Sequence, residues 1–368
     1  MIRISLLIFS LSLLAVVLVL YSTGNRFVAP EIVSNNLPFK VVKYASPAAA
    51  SNPLTLEKVF STDRQSITGN NLIALIVTGD VIPARSTNFQ SSQRNNFLWP
   101  FEKTADVLKS ADITFINLET PLMKNCQLIN EGMKFCGSDK HVEGFNFAGV
   151  DVATLGNNHA ANYGKSGIDE TKKLLEDNGI LVTGLNGPVY TTVKGVKFAF
   201  LGYTDIEKSP LVSVADENKI KAEVAQARKN ADVVIVQYHW GTEYITAPED
   251  RQKFLGRLTI DAGADLVIGN HPHWIKPVEF YKPSLPSPGG DGKSKLITYA
   301  HGNFIFDQEW SQKTKEGVVG KYIFNGKDLI DVEYLPVEIV DYGQPYFLEG
   351  ERKQKILDEM YSESLKLR

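Results

Sequence analysis

The chain has 368 residues, of which 43% are hydrophobic and 22% are charged, so it can bury a large core in one or two domains. Its net charge is only −3, and the sequence contains no long run of lysine or arginine. A nucleic-acid partner is therefore not expected, because such a partner requires a basic surface.

The first 22 residues form an apolar segment. Residues 4–21 carry no charge and, as a helix, would reach about 27 Å, which is just enough to span a bilayer. We predict that residues 1–22 are an uncleaved transmembrane anchor. The alternative is a cleaved signal sequence, but the apolar run is longer than the usual ~7–15 residues and no small-residue cleavage pattern follows it.

Both interpretations of this segment place the remaining chain outside the cytoplasm. With the anchor retained, the protein is a single-pass protein of the cell membrane with an extracytoplasmic globular part. With the segment removed, the protein is secreted. Arg3 favours a cytoplasmic N-terminus, although Arg26 on the far side weakens that charge bias.

Residues 23–70 are predicted to be an extended extracytoplasmic linker, because prolines are mixed there with serine, asparagine and alanine and little periodicity is present. The globular domain is predicted to span residues 71–345. Residues 346–368 are predicted to form a charged C-terminal helix, beginning at about residue 350.

Within the predicted domain, apolar runs alternate with helical patterns. The predicted strands cover residues 73–79, 113–118, 151–156, 180–184, 196–203, 232–238 and 265–269. The predicted helices cover residues 100–110, 165–178, 216–230 and 248–262. This alternation indicates an α/β fold with mostly parallel strands. Further along the chain, a hairpin is predicted with Asn325-Gly326 as its turn.

Polar side chains follow several of the predicted strands, at the point where each strand ends. They are Asp80, Glu119, Asn157, Asn158, His159, His239, His271, His273 and His301. Ligands of open α/β sheets bind outside the carboxyl ends of the strands, so these groups are expected to converge there. Imidazole nitrogens with carboxylate and amide oxygens suit zinc, manganese, iron or similar ions. A hydrolytic metal site is therefore the leading hypothesis.

Each of these motifs also has a structural explanation. Asp80 could instead cap the following helix, and His159 could lie in a turn with its hydrogen bonds satisfied. Trp240 is expected to form a wall of the cleft, whereas His301 has either a cleft-lining or a structural role. His141 lies in a polar stretch and is expected to be solvated.

The two cysteines, Cys126 and Cys136, lie ten residues apart in a polar segment. In an oxidising compartment a local disulfide between them is plausible and would stabilise the fold by roughly 2 to 3 kcal/mol. A role in a metal site is the alternative, but the spacing matches no zinc pattern. The disulfide is therefore the prediction, and it agrees with an extracytoplasmic location.

An ordered set of short motifs between about Leu72 and Asp307 resembles the CapA family of bacterial capsule poly-gamma-glutamate biosynthesis proteins. The motifs are TGDVIPAR, NLETPL, GNNHAANYG, YHWGTEY, GNHPH and HGNFIFD. That family in turn resembles the calcineurin-like metallophosphatases. The resemblance implies a four-layer α/β/β/α sandwich with a two-metal centre.

The resemblance also implies roles for individual residues. Asp80 and His273 would bind a first metal, Glu119 would bridge, and the second metal would be completed by Asn158, His239 and His271. His159 would donate a proton or contact phosphate.

Further candidates lie in the same motifs. Arg85 is a second candidate catalytic residue, and the candidate substrate-binding residues are Asn117, Trp240, His301 and Asn303.

Two positions depart from the metallophosphatase pattern. Ile82 stands where those enzymes have a histidine, and Asn117-Leu118-Glu119 replaces their Gly-Asp-x-x-Asp segment. The first metal position is thus short of one ligand, so the expected cofactor is one or two divalent ions of manganese, zinc or iron.

Two functions of different class are compatible with these features. The first is a metallohydrolase that acts on a phosphoester or related bond of an envelope polymer. The second is a non-hydrolytic subunit that binds poly-gamma-glutamate or a similar polymer together with a membrane synthase or export complex. Serine catalysis and P-loop chemistry lack support, since no G-x-S-x-G or Walker motif is apparent.

Overall fold

The structure is a computed structural model that describes residues 53–63, 67, 69, 71–283 and 292–368. These residues belong to one compact unit, Ser51–Arg368. The predicted membrane segment and most of the predicted linker lie outside the described residues. Among the residues that the structure does describe, no helix has the length and apolar character needed to cross a bilayer.

The described strands and helices alternate along most of the chain. The strands are β1 Leu72–Val81, β2 Ile113–Leu118, β3 Leu122–Met123, β4 Gly137–Ser138, β5 Val152–Thr154, β6 Leu181–Thr183, β7 Val189–Val193, β8 Val196–Thr204, β9 Val233–His239, β10 Leu266–Asn270, β11 Val278–Tyr281, β12 Lys295–Thr298, β13 Asn303–Ile305, β14 Glu316–Asn325, β15 Asp328–Val340 and β16 Gln344–Phe347. The helices are α1 Leu56–Val59, α2 Arg85–Gln93, α3 Ala105–Leu108, α4 His141–Phe147, α5 Gly164–Asp177, α6 Glu217–Asn230, α7 Asp250–Asp261, α8 Gln312–Lys315 and α9 Gly350–Leu365.

Two large sheets carry the fold. The first has the strand order β16-β15-β14-β1-β2-β5-β6, with β13 paired to β1, and the second has the order β11-β12-β10-β9-β8-β7. The central strands β1, β2 and β5 are parallel to one another, as are β8, β9 and β10. The mixed α/β fold predicted from the sequence is therefore confirmed.

The two sheets pack face to face through a shared apolar core. Phe115 of β2 meets Phe200 of β8 edge to face, with ring centroids 5.1 Å apart. The outer face of the first sheet is covered by α3, α4 and α5, and the outer face of the second by α6 and α7. Both faces of the central strands are thus buried, which explains their nearly continuous apolar sequences.

Several predicted elements differ from the observed ones. The helix predicted at 100–110 is a 3₁₀ turn at Trp99–Phe101 followed by α3. Helix α2 was not predicted because its sequence, RSTNFQSSQ, lacks apolar periodicity, and α4 was not predicted because it has only seven residues. The hairpin between β14 and β15 is present, but Asn325 pairs with Asp328, so its turn is Gly326-Lys327 rather than Asn325-Gly326.

The prediction for His141 was wrong. This residue begins α4 and is fully buried, with its Nε2 3.1 Å from Oδ1 of Asn88 and its ring against Phe97. Burial lowers the pKa of His141 to about 3. The polar residues before it gave no sign of this burial, because they lie on the surface while α4 packs inward.

Both ends of the described chain pack onto the core. Leu56 and Val59 of α1 are buried in the core between the sheets, so the packed region begins before residue 71. At the other end, Ile356 and Met360 of α9 enter the same core. The C-terminal helix is therefore an integral part of the domain.

A charged contact fastens α9 to β15. Nη1 of Arg352 donates to Oε2 of Glu338 at 2.6 Å, and the hydroxyl of Tyr346 donates to the same oxygen. The hydrogen bond from Arg352 lowers the pKa of Glu338 to about 2, against the opposing effect of burial. Folding therefore favours the charged form of this carboxylate.

We expect Glu338→Gln to lower the free energy of unfolding by about 1 kcal/mol at pH 7, a small value because water screens the half-exposed Arg352. The folded-state pKa lies below the unfolded one, so this stabilisation is present above pH 4.5 and declines as the pH falls toward 2. Urea unfolding of both proteins between pH 7 and pH 3 would measure it. Glu359→Gln, at an exposed position of α9, is the matched control, and a pH-independent difference would contradict the assignment.

Candidate metal centre

The candidate metal ligands lie at the carboxyl ends of strands from both sheets. Asp80 is at the end of β1, Glu119 directly follows β2, and Asn158 follows β5. From the second sheet, His239 ends β9, and His271 and His273 follow β10. The strands within each set are parallel, so their carboxyl ends meet at one edge of the double sheet.

Three overlapping groups at this edge bring ligand atoms within 4.8 Å of one another. The groups are Glu119 with His239 and His271, Asp80 with Glu119 and His273, and Glu243 with His271 and His273. Asn158 joins the first group, because its Oδ1 lies 2.7 Å from Nε2 of His239. The six predicted metal ligands thus form a single cluster.

Asp80 is completely buried and is held by several donors. Its Oδ1 accepts hydrogen bonds from the amides of Asn117 and Asn270, at 2.8 and 2.9 Å, and its Oδ2 accepts one from the backbone N–H of His271 at 3.1 Å. Burial alone would raise the pKa of Asp80, but the hydrogen bond and charge of His273 bring it below its usual value. Asp80 is therefore a fixed carboxylate in the floor of the site.

Glu119 is equally buried but has no comparable partners. Neither of its carboxylate oxygens has a hydrogen-bond partner among the described residues, although Oε1 lies 3.3 Å from Nε2 of His239. Burial and the neighbouring charge of Asp80 raise the pKa of Glu119 well above its usual value. A buried carboxylate without hydrogen bonds lowers the stability of the fold, and a bound cation would offset this cost.

The two histidines after β10 adopt an unusual backbone conformation. His271 has φ +94° and His273 has φ +57°, values in the left-handed region that cost of order 1 kcal/mol or more for a non-glycine residue. Nδ1 of His271 is buried and has no hydrogen-bond partner among the described residues, whereas Nδ1 of His273 lies 2.8 Å from Oδ1 of Asn303. Strain at this position indicates a functional constraint on both imidazoles.

The donor set fits a divalent metal ion. Burial lowers the pKa of His239 to about 3 and that of His271 well below its usual value, so both imidazoles are neutral at pH 7 and have lone pairs to offer. Together with the unpartnered oxygens of Glu119, they supply the nitrogen and oxygen ligands preferred by zinc, manganese and iron. The orphaned atoms of Glu119 and His271 are the atoms that an ion would satisfy.

The predicted catalytic residues His159 and Arg85 lie beside one another at the rim. The ring of His159 stacks on Phe135 with centroids 3.9 Å apart, and its Nδ1 lies 3.0 Å from Oδ1 of Asn162. Burial lowers the pKa of His159 to about 4. The Arg85 guanidinium also lies over the Phe135 ring, 4.7 Å from its centroid, and pairs with Asp307 at 2.5 Å.

The predicted disulfide joins Cys126 to Cys136. The loop that it closes contains Phe135, against which His159 stacks, and Gly132, whose carbonyl accepts a hydrogen bond from Arg85 at 3.1 Å. The disulfide therefore constrains the segment that positions both rim residues.

Two of the predicted substrate-binding residues do not reach the cleft. Trp240 is fully buried on the outer face of the second sheet, where it stacks on Tyr238 at 4.4 Å and donates to the carbonyl of Tyr299. Alternate residues of a strand face opposite sides, so His239 enters the site and its two neighbours do not. His301 is buried below the site, with Nε2 3.0 Å from the hydroxyl of Tyr322.

The other two predicted substrate-binding residues support the metal ligands instead. Asn117 is buried and donates to Asp80 while accepting from the amide of Asn157 at 3.1 Å. Asn303 is buried and contacts His273. Their polar atoms are directed at Asp80 and His273, so they are placed to orient these candidate ligands.

Glu243 was not singled out by the sequence. It lies in the loop after β9, in the YHWGTEY motif, and shares a group with His271 and His273. An acidic residue four positions after His239 was the available signal, but a loop residue has no strand period to predict its direction.

Comparison with known proteins identifies relatives over most of the chain. A family model described as "Bacterial capsule synthesis protein PGA_cap" matches residues 74–308. The capsule biosynthesis protein CapA of Bacillus anthracis is 28% identical over 294 residues, which cover 73% of this chain and 68% of the relative. The PGA biosynthesis protein CapA of Bacillus subtilis is 28% identical over 275 residues, covering 70% and 69%. Among solved structures, a novel phosphatase from Mycoplasma pneumoniae is 14% identical, with a TM-score of 0.48 and coverage of 77% of this chain and 97% of that chain.

Proposed function

The chain belongs to the bacterial capsule synthesis protein family, and from this premise we propose that it acts in the biosynthesis or export of a surface polymer such as poly-gamma-glutamate. We further propose that its cleft is a metallophosphatase-like hydrolytic site that depends on a divalent metal. The site would act outside the cytoplasm, on a phosphoester or a related bond of the envelope polymer or its precursor.

The unpartnered carboxylate of Glu119 is the observation that carries the hydrolytic proposal. This buried carboxylate has no hydrogen-bond partner in the described part of the chain, and it lies among two neutral imidazoles and the amide oxygen of Asn158. A purely structural site would be more stable with these groups paired or replaced by apolar residues. Their retention in this geometry is explained by a cation that they hold together.

Residues from both sheets would hold the metal. Asp80 and His273 would lie on one side, Asn158, His239 and His271 on the other, and Glu119 between them. A divalent metal bound there would polarise the scissile group and lower the pKa of water toward neutrality. Asn117, Asn270 and Asn303 keep Asp80 and His273 in position.

His159 and Arg85 would act on the substrate from the rim. Oδ1 of Asn162 accepts from the backbone N–H of Phe135, so it acts as an acceptor and His159 carries its proton on Nδ1 when neutral. Nε2 of His159 is then free to accept a proton and to pass it to a leaving group. The Arg85 guanidinium lies over the same Phe135 ring and is paired with Asp307, so an anionic substrate that reached it would join this ion pair.

A non-hydrolytic role is the second candidate. The two Bacillus relatives are named for capsule and PGA biosynthesis rather than for hydrolysis. In this case the cleft would bind poly-gamma-glutamate or a similar polymer, and the protein would work with a membrane synthase or export complex.

We propose that residues 1–22 anchor the protein in the cell membrane, with secretion after cleavage as the alternative. The long uncharged run and the disulfide, which is typical of oxidising compartments, support this location. The full-length protein is expected to stay in membranes washed with alkaline carbonate, and its release would contradict the anchor.

Metal analysis of the full-length protein, followed by a substrate screen, tests the proposed function. We expect bound manganese, zinc or iron, and chelator-sensitive hydrolysis of a phosphomonoester, a phosphodiester or a gamma-glutamyl peptide. Restoration of hydrolysis by added metal would support the hydrolase. Metal without hydrolysis, together with co-purification of a polymer or a membrane complex, would favour the second candidate, and the absence of metal would contradict the metal site.

A further inference from the structure

We propose that Glu243 is an additional metal ligand of this site and that it completes the position held by Asp80 and His273. This inference rests on the proposed metal site and adds to it a residue from the loop after β9. Without Glu243, the group at that position contains only Asp80, Glu119 and His273. Ile82, two residues after Asp80, is buried in an apolar cluster with Ala84, Phe135 and Phe306 and offers no ligand atom.

Glu243 is within reach of an ion that His273 contacts. One of its carboxylate oxygens and one nitrogen each of His271 and His273 lie within 4.8 Å of one another. Ligand atoms around one ion are separated by about 3 to 4 Å, because bonds to zinc are about 2.0 to 2.2 Å long. A small side-chain rotation of the half-buried Glu243 would bring its carboxylate to an ion that His273 binds.

The backbone on both sides of Glu243 is anchored. Thr242 donates its N–H and its hydroxyl to the carboxylate of Glu249, at 2.7 and 2.9 Å. The N–H of Tyr244 donates to the carbonyl of Pro272 at 2.9 Å, which ties the loop directly to the histidine pair. Glu243 is therefore presented to His271 and His273 by a fixed turn.

The turn itself requires the residues found there. Gly241 has φ +85°, and a Cβ at this position would lie 2.5 Å from the side-chain amide of Gln252. Tyr244 also has a positive φ, of +60°. A conformation this constrained in an ordinary surface loop is costly, and holding Glu243 over the cluster accounts for it.

The charges of the cluster agree with two ions. Asp80, Glu119 and Glu243 provide three carboxylates in the cluster, and both oxygens of Glu119 lack partners among the described residues. One divalent ion would leave net negative charge in a largely buried site, whereas two ions with bound anionic substrate approach neutrality. Glu243 thus favours binding of a second ion.

Manganese binding by the full-length protein tests this role without relying on activity. We expect two bound ions in the wild-type protein, with the spin coupling of a close pair in electron paramagnetic resonance. In Glu243→Gln, one ion should bind at least about 10-fold more weakly and the coupling should be lost. Glu243→Asp keeps a carboxylate and should bind that ion more tightly than Glu243→Gln does.

Glu176→Gln is the matched control, because Glu176 is exposed on α5 and pairs with Lys172 one turn away. It should bind manganese as the wild-type protein does. If Glu243→Gln binds both ions as tightly as this control, the assignment of Glu243 is wrong while the metal site stands. If the wild-type protein binds no manganese, zinc or iron, the proposed function fails as well. Equal melting temperatures in chelator confirm that the variants are folded.

Discussion

Glu119→Gln is expected to abolish tight metal binding while making the metal-free protein more stable. Glu119 is fully buried, and neither carboxylate oxygen has a hydrogen-bond partner among the described residues. In the absence of metal, it either remains charged at a cost or takes up a proton. Glutamine has the same shape and no charge, so we expect a gain of about 1 to 3 kcal/mol in the free energy of unfolding.

Urea unfolding in chelator, with metal titrations alongside, measures both parts of this expectation. Glu119 belongs to two of the three ligand groups, so its replacement should weaken binding at both positions. Any metal-dependent hydrolysis should fall by about 10³-fold or more, a loss of roughly 4 kcal/mol in transition-state stabilisation. Glu176→Gln serves again as the surface control. Unchanged metal affinity, or a loss of stability in chelator, would show that Glu119 is not held in place for a cation.

Asp80→Asn is expected to have the opposite effect on stability, although it too should abolish metal binding. Asp80 accepts hydrogen bonds from Asn117, Asn270 and the N–H of His271, and Nδ1 of His273 lies 3.4 Å from its Oδ2. Asparagine replaces one of the two carboxylate oxygens with an NH2 group. This donor would then face one of the N–H groups that now donate to Asp80. Loss of these charge-assisted bonds should lower the free energy of unfolding by about 2 to 4 kcal/mol in chelator.

Comparing the unfolding free energies of Asp80→Asn and Glu119→Gln in chelator is a stricter test than either variant alone. Both carboxylates lie in one buried site, but within the part of the chain that the structure describes only Asp80 has hydrogen-bond donors to its carboxylate. Asp106→Asn, at a position with a 93% exposed side chain, controls for the loss of charge alone and should change stability by less than about 0.5 kcal/mol. Equal destabilisation by Asp80→Asn and Glu119→Gln would contradict the pairing described for Asp80.

Much of the fold and part of the site could be predicted from the sequence. The family-model match confirms the family predicted from the motifs. Apolar runs located β1, β2, β8, β9 and β10 to within two residues, because strands covered on both faces must be continuously apolar. Helix α2 escaped prediction because its buried residues are Thr87, Asn88 and Ser91, with no apolar stripe, and α4 because its seven residues are too few to establish a helical period.

Side-chain directions were less predictable than strand positions. His239 enters the site whereas Trp240 points into the outer core, and His301 hydrogen-bonds Tyr322 below the cluster. Asn117 and Asn303 proved to be neighbours of ligands. A polar residue at a strand end can face the cleft or the core. Its hydrogen-bond partner comes from a distant segment, so the local sequence does not predict which of the two it will face.

The sequence by itself determined where the chain changes from apolar strand to polar loop, and therefore which residues stand at the edge of the double sheet. Only the tertiary structure decided how these residues are paired. Asp80 is held by Asn270, which lies 190 positions away, whereas Glu119 has no such partner among the described residues. Likewise, Glu243 reaches the histidines because its loop is bonded to Pro272. The local sequence pattern predicts which residues are buried. The hydrogen bonds and the protonation of groups in a buried site depend instead on distant segments that folding brings together.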